Sequence, residues 1–278
     1  MFHLFYFGYV NKGNMADNSF ENILAELKNS ATETVKGNYV IREITLKQQR
    51  KILNGGFEAV EMPAKLANIY NDYIRESVVR NDSMVDISQV VTVDIKPYLL
   101  IELRKNTFGD IYYGDGDEDE EVENKEYKLY EVTAKDLESA IKPVKVKFGN
   151  VTIKLDVPTI EKESKYNALL ISTGLSPFKK KKIDESTLAQ VADVYQLYEM
   201  MKYISTIVFD GVEYDFDKVA MAQKMRFLDM ISPTIVNNIN KFIKKVKKSE
   251  EKAFKAIADD GDEITLGTRN LFMNNSKD

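Results

Sequence analysis

Apolar residues recur at helical spacing over several stretches of the chain and alternate with a period of two over others, so helices and strands are both expected. Near the start, Asn18 and Ser19 precede Phe20, Ile23, Leu24 and Leu27, which predicts a short capped amphipathic helix. A polar stretch from about 29 to 37 follows, and Tyr39, Ile41 and Ile44 end a strand-like segment. Thr45 with Gln48 forms a capping box that starts a helix in LKQQRKILN, and Gly55-Gly56 stops it. Behind Pro63, the residues Leu66, Ile69, Tyr70, Tyr73 and Ile74 keep a helical period to about Val79. Asp94 is expected to cap IKPYLLIELRKN, where Pro97 in the first turn does no harm. The middle of that helix is so apolar that it belongs in a core, with Glu102, Arg104 and Lys105 facing outward or making ion pairs.

The pattern changes in the middle of the chain. GDGDEDEEVENKE, residues 114–126, has too few apolar residues to pack and reads as a mobile acidic loop. Beyond it KLYEV and VKVKFGNVTIKLDV alternate, with Gly149-Asn150 as a two-residue hairpin turn and a short helix near Thr133. Residues 163–174 fit neither period, and Ser176-Pro177 with Lys179 to Lys182 forms a basic connector. Asp184 then opens what reads as the longest helix, with Leu188, Val191, Val194, Tyr195, Tyr198, Met201 and Ile204 on one stripe. Asp210-Gly211 turns a second hairpin, helices follow at about 217–230 and 234–247, and the end of the chain is polar and expected to be loose.

The predicted fold is therefore α+β, with helical segments at both ends flanking a small antiparallel β element that carries the acidic mobile loop. Its divisions are an N-terminal segment (1–37), a mainly helical domain (38–113), the acidic loop (114–126), a small β-rich insertion (127–162), a C-terminal helical domain (163–258) and a loose tail (259–278).

Composition then narrows the chemistry. One histidine, His3, and no cysteine exclude thiol catalysis, disulfides and cysteine-bearing or multi-histidine zinc sites. The first ten residues, MFHLFYFGYV, are too short to cross a bilayer and lack the basic start of a signal peptide. Two readings of them stay open: a strand or plug that packs, or translation that begins at Met15. No GxxxxGK[ST] loop, no GxGxxG after a strand and no GxSxG elbow occurs. The carboxylate pairs Asp215/Asp217 and Glu43/Glu58 have no pocket to define them, and Ser176 with Lys179 reads as connector. Asp115, Asp117, Asp119 and Glu121 alternate as calcium donors would, yet the EF-hand spacing is missing, so no metal and no cofactor are expected. The expectation is a protein that is not an enzyme.

What remains is contact surface. A net charge of −5 argues against a generic nucleic-acid binder, so basic surface must be local. The clusters Lys179 to Lys182 and Lys241, Lys244, Lys245, Lys247 and Lys248 are poor in interleaved aromatics, which favours a solvated or protein-docking face over phosphate binding. Lys241, Lys244, Lys245 and Lys248, together with the aromatic stripe residues Tyr195 and Tyr198, are the predicted partner-docking residues. Met225, Phe227, Leu228, Ile231, Ile235, Ile239 and Phe242 are expected to pack the two helices that present them.

Three stretches carry a family resemblance: REITLKQQRKILN, VDIKPYLLIELRKNTFGD and FDGVEYDFDKVAMAQKMRFLDMISPTIVNNINKFI. Together they resemble the baseplate hub subunits of T-even-type contractile-tailed bacteriophages, over about residues 38 to 250. The region from Gly114 to Val157 departs from the pattern. The resemblance implies a structural subunit or assembly factor of a tail baseplate, present in the host cytoplasm during assembly and then in the virion tail. Its implied partners are other hub and tail proteins, with a homo-oligomer left open, and no specific nucleic acid or membrane. No catalytic residue is carried over. The alternative is a nucleic-acid-associated adaptor or replication accessory protein using the lysines from Lys241 to Lys252.

Overall fold

The computed structural model describes residues 20–27, 31–53, 58–82, 84–114, 125–179, 184–267 and 271–272. The expectations for residues 1–19, Gly55-Gly56, the acidic residues 115–124 and Lys180 to Lys182 lie outside this set. Within it the fold is α+β, and its strands form three antiparallel sheets.

Helix α1 (20–27) forms where the apolar spacing predicts it, with Phe20, Ile23, Leu24 and Leu27 all exposed. The first sheet joins β1 (Glu33–Lys36), β2 (Tyr39–Arg42) and β3 (Val78–Arg80) in that order. Between β2 and β3 lie α2 (Leu46–Leu53) and α3 (Met62–Ser77). The capping box closes α2 as expected: the Thr45 amide donates to Gln48 Oε1 (2.6 Å) and the Gln48 amide to Thr45 Oγ1 (3.3 Å). Helix α3 stops two residues earlier than its apolar period suggests, because the β-branched Val78 and Val79 pair with Ile41 and Val40 instead.

After the short α4 (Ile87–Val90) comes α5 (Lys96–Phe108), which passes through the middle of a core. Asp94 does not cap it. Ile95 occupies that position, and the Asp94 carboxylate accepts from the hydroxyls of Thr92 and Ser139. Burial all round α5 also takes in its charged residues. Glu102 lies beside Lys105 (3.5 Å) and Lys36 (4.0 Å). Arg104, only 2% exposed, neither faces outward nor forms an ion pair with a described residue; it donates to the Gly109 carbonyl and lies over the Phe108 ring.

The strands read together as one inserted element divide between two sheets. β5 (Lys125–Leu129) joins β4 (Ile111–Gly114), β10 (Lys255–Ile257) and β11 (Glu263–Thr265) in the order β11-β10-β5-β4. The hairpin of β6 (Val144–Phe148) and β7 (Val151–Leu155) joins β8 (Ile204–Phe209) and β9 (Val212–Asp215) in chain order. Both predicted hairpin turns are present. At the second, Asp210 (φ 47°) and Gly211 (φ 82°) are both left-handed, as a twist-matched two-residue turn requires.

Four more α-helices follow among the described residues: α6 (Ile160–Leu169), α7 (Glu185–Tyr203), α8 (Met221–Met230) and α9 (Pro233–Ala253). Asp184 does cap α7, accepting from the Thr187 amide at 2.7 Å. The longest is nevertheless α9, at 21 residues against 19 for α7, because its core spacing continues from Val246 to Ala253. Helix α8 starts at Met221 instead of near Asp217, since Phe216–Lys218 is a separate turn capped by Asp215.

Two hydrophobic cores result. Ile41, Tyr73, Ile74, Leu99, Leu100 and Ile101 lie in the first, and Ile153, Leu155, Tyr166, Met201, Ile239 and Phe242 in the second. Three helices reach both: α3 through Ala64 and Leu66, α6 through Tyr166 and Ile160, and α9 through Val246 and Ala253. The expectation of a loose tail is corrected over its described residues, because Leu266, Leu271 and Phe272 are buried in the first core. Phe272 packs edge-on against Tyr73 (5.2 Å between ring centres) and lies 5.5 Å from Tyr70.

Candidate partner-docking surface

Helix α9 sorts its residues by phase. Ile235, Ile239, Phe242, Ile243 and Val246 are buried at spacings of three and four, so Lys241, Lys244, Lys245 and Lys248 fall together on the opposite side. All four lysines are exposed, and none has a carboxylate partner among the described residues. From Lys241 to Lys248 the row is roughly 10 Å long.

The neighbouring lysines of the same basic run behave differently. Lys247 turns to Glu199 at 2.9 Å; burial alone would lower its pKa, but Glu199 outweighs burial and raises it. Lys252 meets Asp136 at 2.8 Å with its ammonium over the Tyr130 ring, and Asp136 holds its pKa above the usual lysine range. A continuous basic surface from Lys241 to Lys252, which phosphate binding would use, is therefore reduced to the four-lysine row.

The two predicted docking tyrosines do not join that row. Tyr198 is 3% exposed and packs in the second core, against the turn at Gly174. Tyr195 is half-buried and donates its hydroxyl to the Val60 carbonyl at 2.8 Å. Their stripe on α7 is covered from within the chain by α6 and α9, so for these residues an intramolecular core replaces the expected subunit contact.

Sequence reasoning missed a charged cluster where the cores meet. A cleft of about 280 Å³ is lined there by Lys96, Glu163, Glu199, Lys202, Lys247 and Glu250 among apolar walls that include Tyr70 and Leu100. Lys96 bonds Glu163, which also accepts from Asn71 at 2.9 Å, and Lys202 meets Glu199 at 2.8 Å. These residues come from α5, α6, α7 and α9, and no local spacing in the sequence links them.

Burial alone would raise the Glu199 carboxyl, but Lys202 and Lys247 outweigh it and hold its pKa at about 2. The Glu199 side chain is 24% exposed, so screening is partial. A carboxyl moved that far below its ordinary value contributes on the order of 3 kcal/mol to folding stability. Because the folded pKa is depressed, that contribution is complete above the ordinary carboxyl range and is lost as pH falls from about 4.5 towards 2. Thermal melts of Glu199→Gln are expected to show lower stability at pH 7 and a shallower acid loss than the parent. Parallel acid profiles for the two would contradict this.

The remaining chemistry-bearing groups are tied into the fold. Asp217 accepts from the Tyr166 hydroxyl (3.0 Å) and pairs with Lys162 (2.9 Å). Lys224, 3% exposed and lowered in pKa by burial, donates to the Tyr166 oxygen at 2.9 Å. This network fastens α8 to α6. Glu43 lines a shallow groove beside Ile44 and Gln48, and Glu58 is not part of it. Lys179, beyond Ser176, pairs with Glu61 at 2.7 Å. Among the described residues, no group of three or more His, Asp or Glu is placed to hold a metal ion. Nor is any described helix long and apolar enough to cross a membrane.

The chain is α+β, with buried ionic groups bonded within its own fold and a row of lysines left open on α9. It belongs to the T4 bacteriophage base plate protein family, whose pattern matches residues 25–255. The matched span takes in all three stretches that carry the resemblance, and also the acidic and hairpin region that departs from it. The family makes the chain a structural protein of a phage base plate. No curated protein and no solved structure matches it.

Proposed function

We propose that the chain is a non-enzymatic subunit or assembly factor of the base plate hub of a contractile tail. On this reading it acts in the host cytoplasm during assembly and in the virion tail, and its partners are other hub and tail proteins. Specific nucleic-acid binding and membrane binding are not part of its work. The observation that supports the reading most directly is the row Lys241, Lys244, Lys245 and Lys248, left without carboxylate partners among the described residues while Lys247 and Lys252 pair with Glu199 and Asp136 of the same chain. Charges of that kind guide register and association between proteins.

The test is complementation of a phage that lacks the gene, scored for complete base plates by electron microscopy. Lys244→Glu with Lys248→Glu is expected to cost no more than about 1 kcal/mol of stability, since each exposed site changes it by within about 0.5 kcal/mol. The same double variant is expected to fail to complete base plates. Normal base plates from it would remove this row from the docking role. Normal base plates with the gene absent would overturn the assembly role itself.

A further inference from the structure

We infer that the lysine row of α9 seats an acidic helix of a partner protein, laid along α9 with its carboxylates towards the four ammonium groups. The inference rests on the reading of the chain as a base plate subunit and names the chemistry of the partner at that surface. Lys241 and Lys245 are one helical turn apart, as are Lys244 and Lys248, and the rise over that turn is about 6 Å. Carboxylates at i and i+4 on a second helix repeat at the same interval, so two turns of an acidic helix match the row in step.

The helix that carries the row is anchored before any partner arrives. Helix α9 is buried in the second core through Ile235, Ile239, Phe242, Ile243 and Val246 and in the first through Ala253. Little backbone ordering is then left for binding to impose. Asn237, Asn238 and Asn240 before the lysines and Ser249 after them add polar groups suited to the rim of such a contact.

Nucleic acid fits the surface less well. A duplex presents about six phosphates along 10 Å, more than four lysines neutralise. It would also run on over a molecule that is, outside this row, more acidic than its net charge of −5. None of the described residues flanking the lysines on α9 is an exposed aromatic on which a base would stack.

The experiment uses base plate assembly intermediates that contain the full chain, treated with a water-soluble carbodiimide. This reagent condenses a lysine amine with a touching carboxylate to form an amide, releasing the corresponding urea. Peptide mass spectrometry is expected to find amides joining at least two of the four lysines to Asp or Glu residues in a helix of another protein. In a parallel arm, acetylation of the four lysines is expected to be about tenfold slower in the intermediates than in the free chain, as burial at an interface requires. Lys218, whose side chain is 85% exposed, is the reference for unhindered reaction.

Linkage of the row only to a second copy of the chain, or to nucleic acid in a third arm treated with formaldehyde, would overturn the inferred partner. Row lysines acetylated as fast in the intermediates as in the free chain would overturn the inference while leaving the base plate reading standing. Absence of the chain from every intermediate and from finished base plates would overturn that reading instead.

Discussion

Glu163→Ala is expected to destabilise the chain by about 3–5 kcal/mol, the range for removing one partner of a buried ion pair. Both side chains of the Lys96–Glu163 pair are only 12% exposed, and Asn71 donates a further hydrogen bond to the same carboxylate oxygen. Burial raises the Glu163 carboxyl, yet Lys96 and Lys202 together pull its pKa below the ordinary value, so it is held as the anion. Removing it strands the Lys96 ammonium between the two cores and leaves the Asn71 amide without its Glu163 acceptor. The loss arises mainly from the stranded ammonium and less from the attraction itself, since the Asn71 amide keeps the Ser164 hydroxyl (2.9 Å) and the Ile160 carbonyl (3.4 Å) as acceptors. Lys96→Met combined with Glu163→Leu is therefore expected to recover most of the stability lost by the single change. Urea unfolding of the parent and the two variants measures both terms. A cost below about 1 kcal/mol for Glu163→Ala would mean that solvent already screens the pair, as it does at a surface. Against a total of about 5–15 kcal/mol, the expected loss is large enough to leave the chain marginal.

This ion pair also marks the limit of what the sequence discloses. Features with a local cause are readable: the Thr45–Gln48 capping box, the Asp184 cap, the Gly149-Asn150 and Asp210-Gly211 turns, and Pro233 at the start of α9. The α+β class follows from them. Partnership between distant elements is a different matter. β5 alternates as a strand should, but nothing in that alternation says that Leu129 faces Ala256 from the far end of the chain. Lys247 and Lys248 are adjacent and chemically identical, yet one meets Glu199 and the other faces solvent. Helical phase separates them once the core spacing is followed to Ala253, whereas the position of Glu199 comes from the packing of α7 against α9. The row Lys241, Lys244, Lys245 and Lys248 was legible because phase alone puts it outside. The burial of Tyr198 is not legible in the same way, because an aromatic stripe has the same spacing whether another chain or its own chain covers it.

Phe272→Ala is expected to cost about 3–5 kcal/mol, although the residue sits in a segment whose composition predicts a loose end. Its ring is 1% exposed, edge-on to Tyr73 and tilted against Tyr70, and such aromatic pairs add about 0.5–1.5 kcal/mol each to the burial itself. A period of two or of 3.6 cannot find it, because a lone Leu271-Phe272-Met273 in a polar run has no repeat. Its burial depends on the concavity that α3 offers through Tyr70 and Tyr73. The consequence extends to the lysine row. The Leu266 amide donates to the Phe254 carbonyl at 2.8 Å, so the segment that Phe272 anchors also holds the point where α9 passes into β10. Phe272→Ala is thus expected to lower the unfolding midpoint in urea and to increase amide hydrogen exchange in the last turn of α9 more than in α8. Ile257→Ala, at a half-exposed position on β10, is the control and is expected to cost under about 1 kcal/mol. A Phe272→Ala variant as stable as that control, with unchanged exchange in α9, would mean that the C-terminal segment is not fastened to the first core.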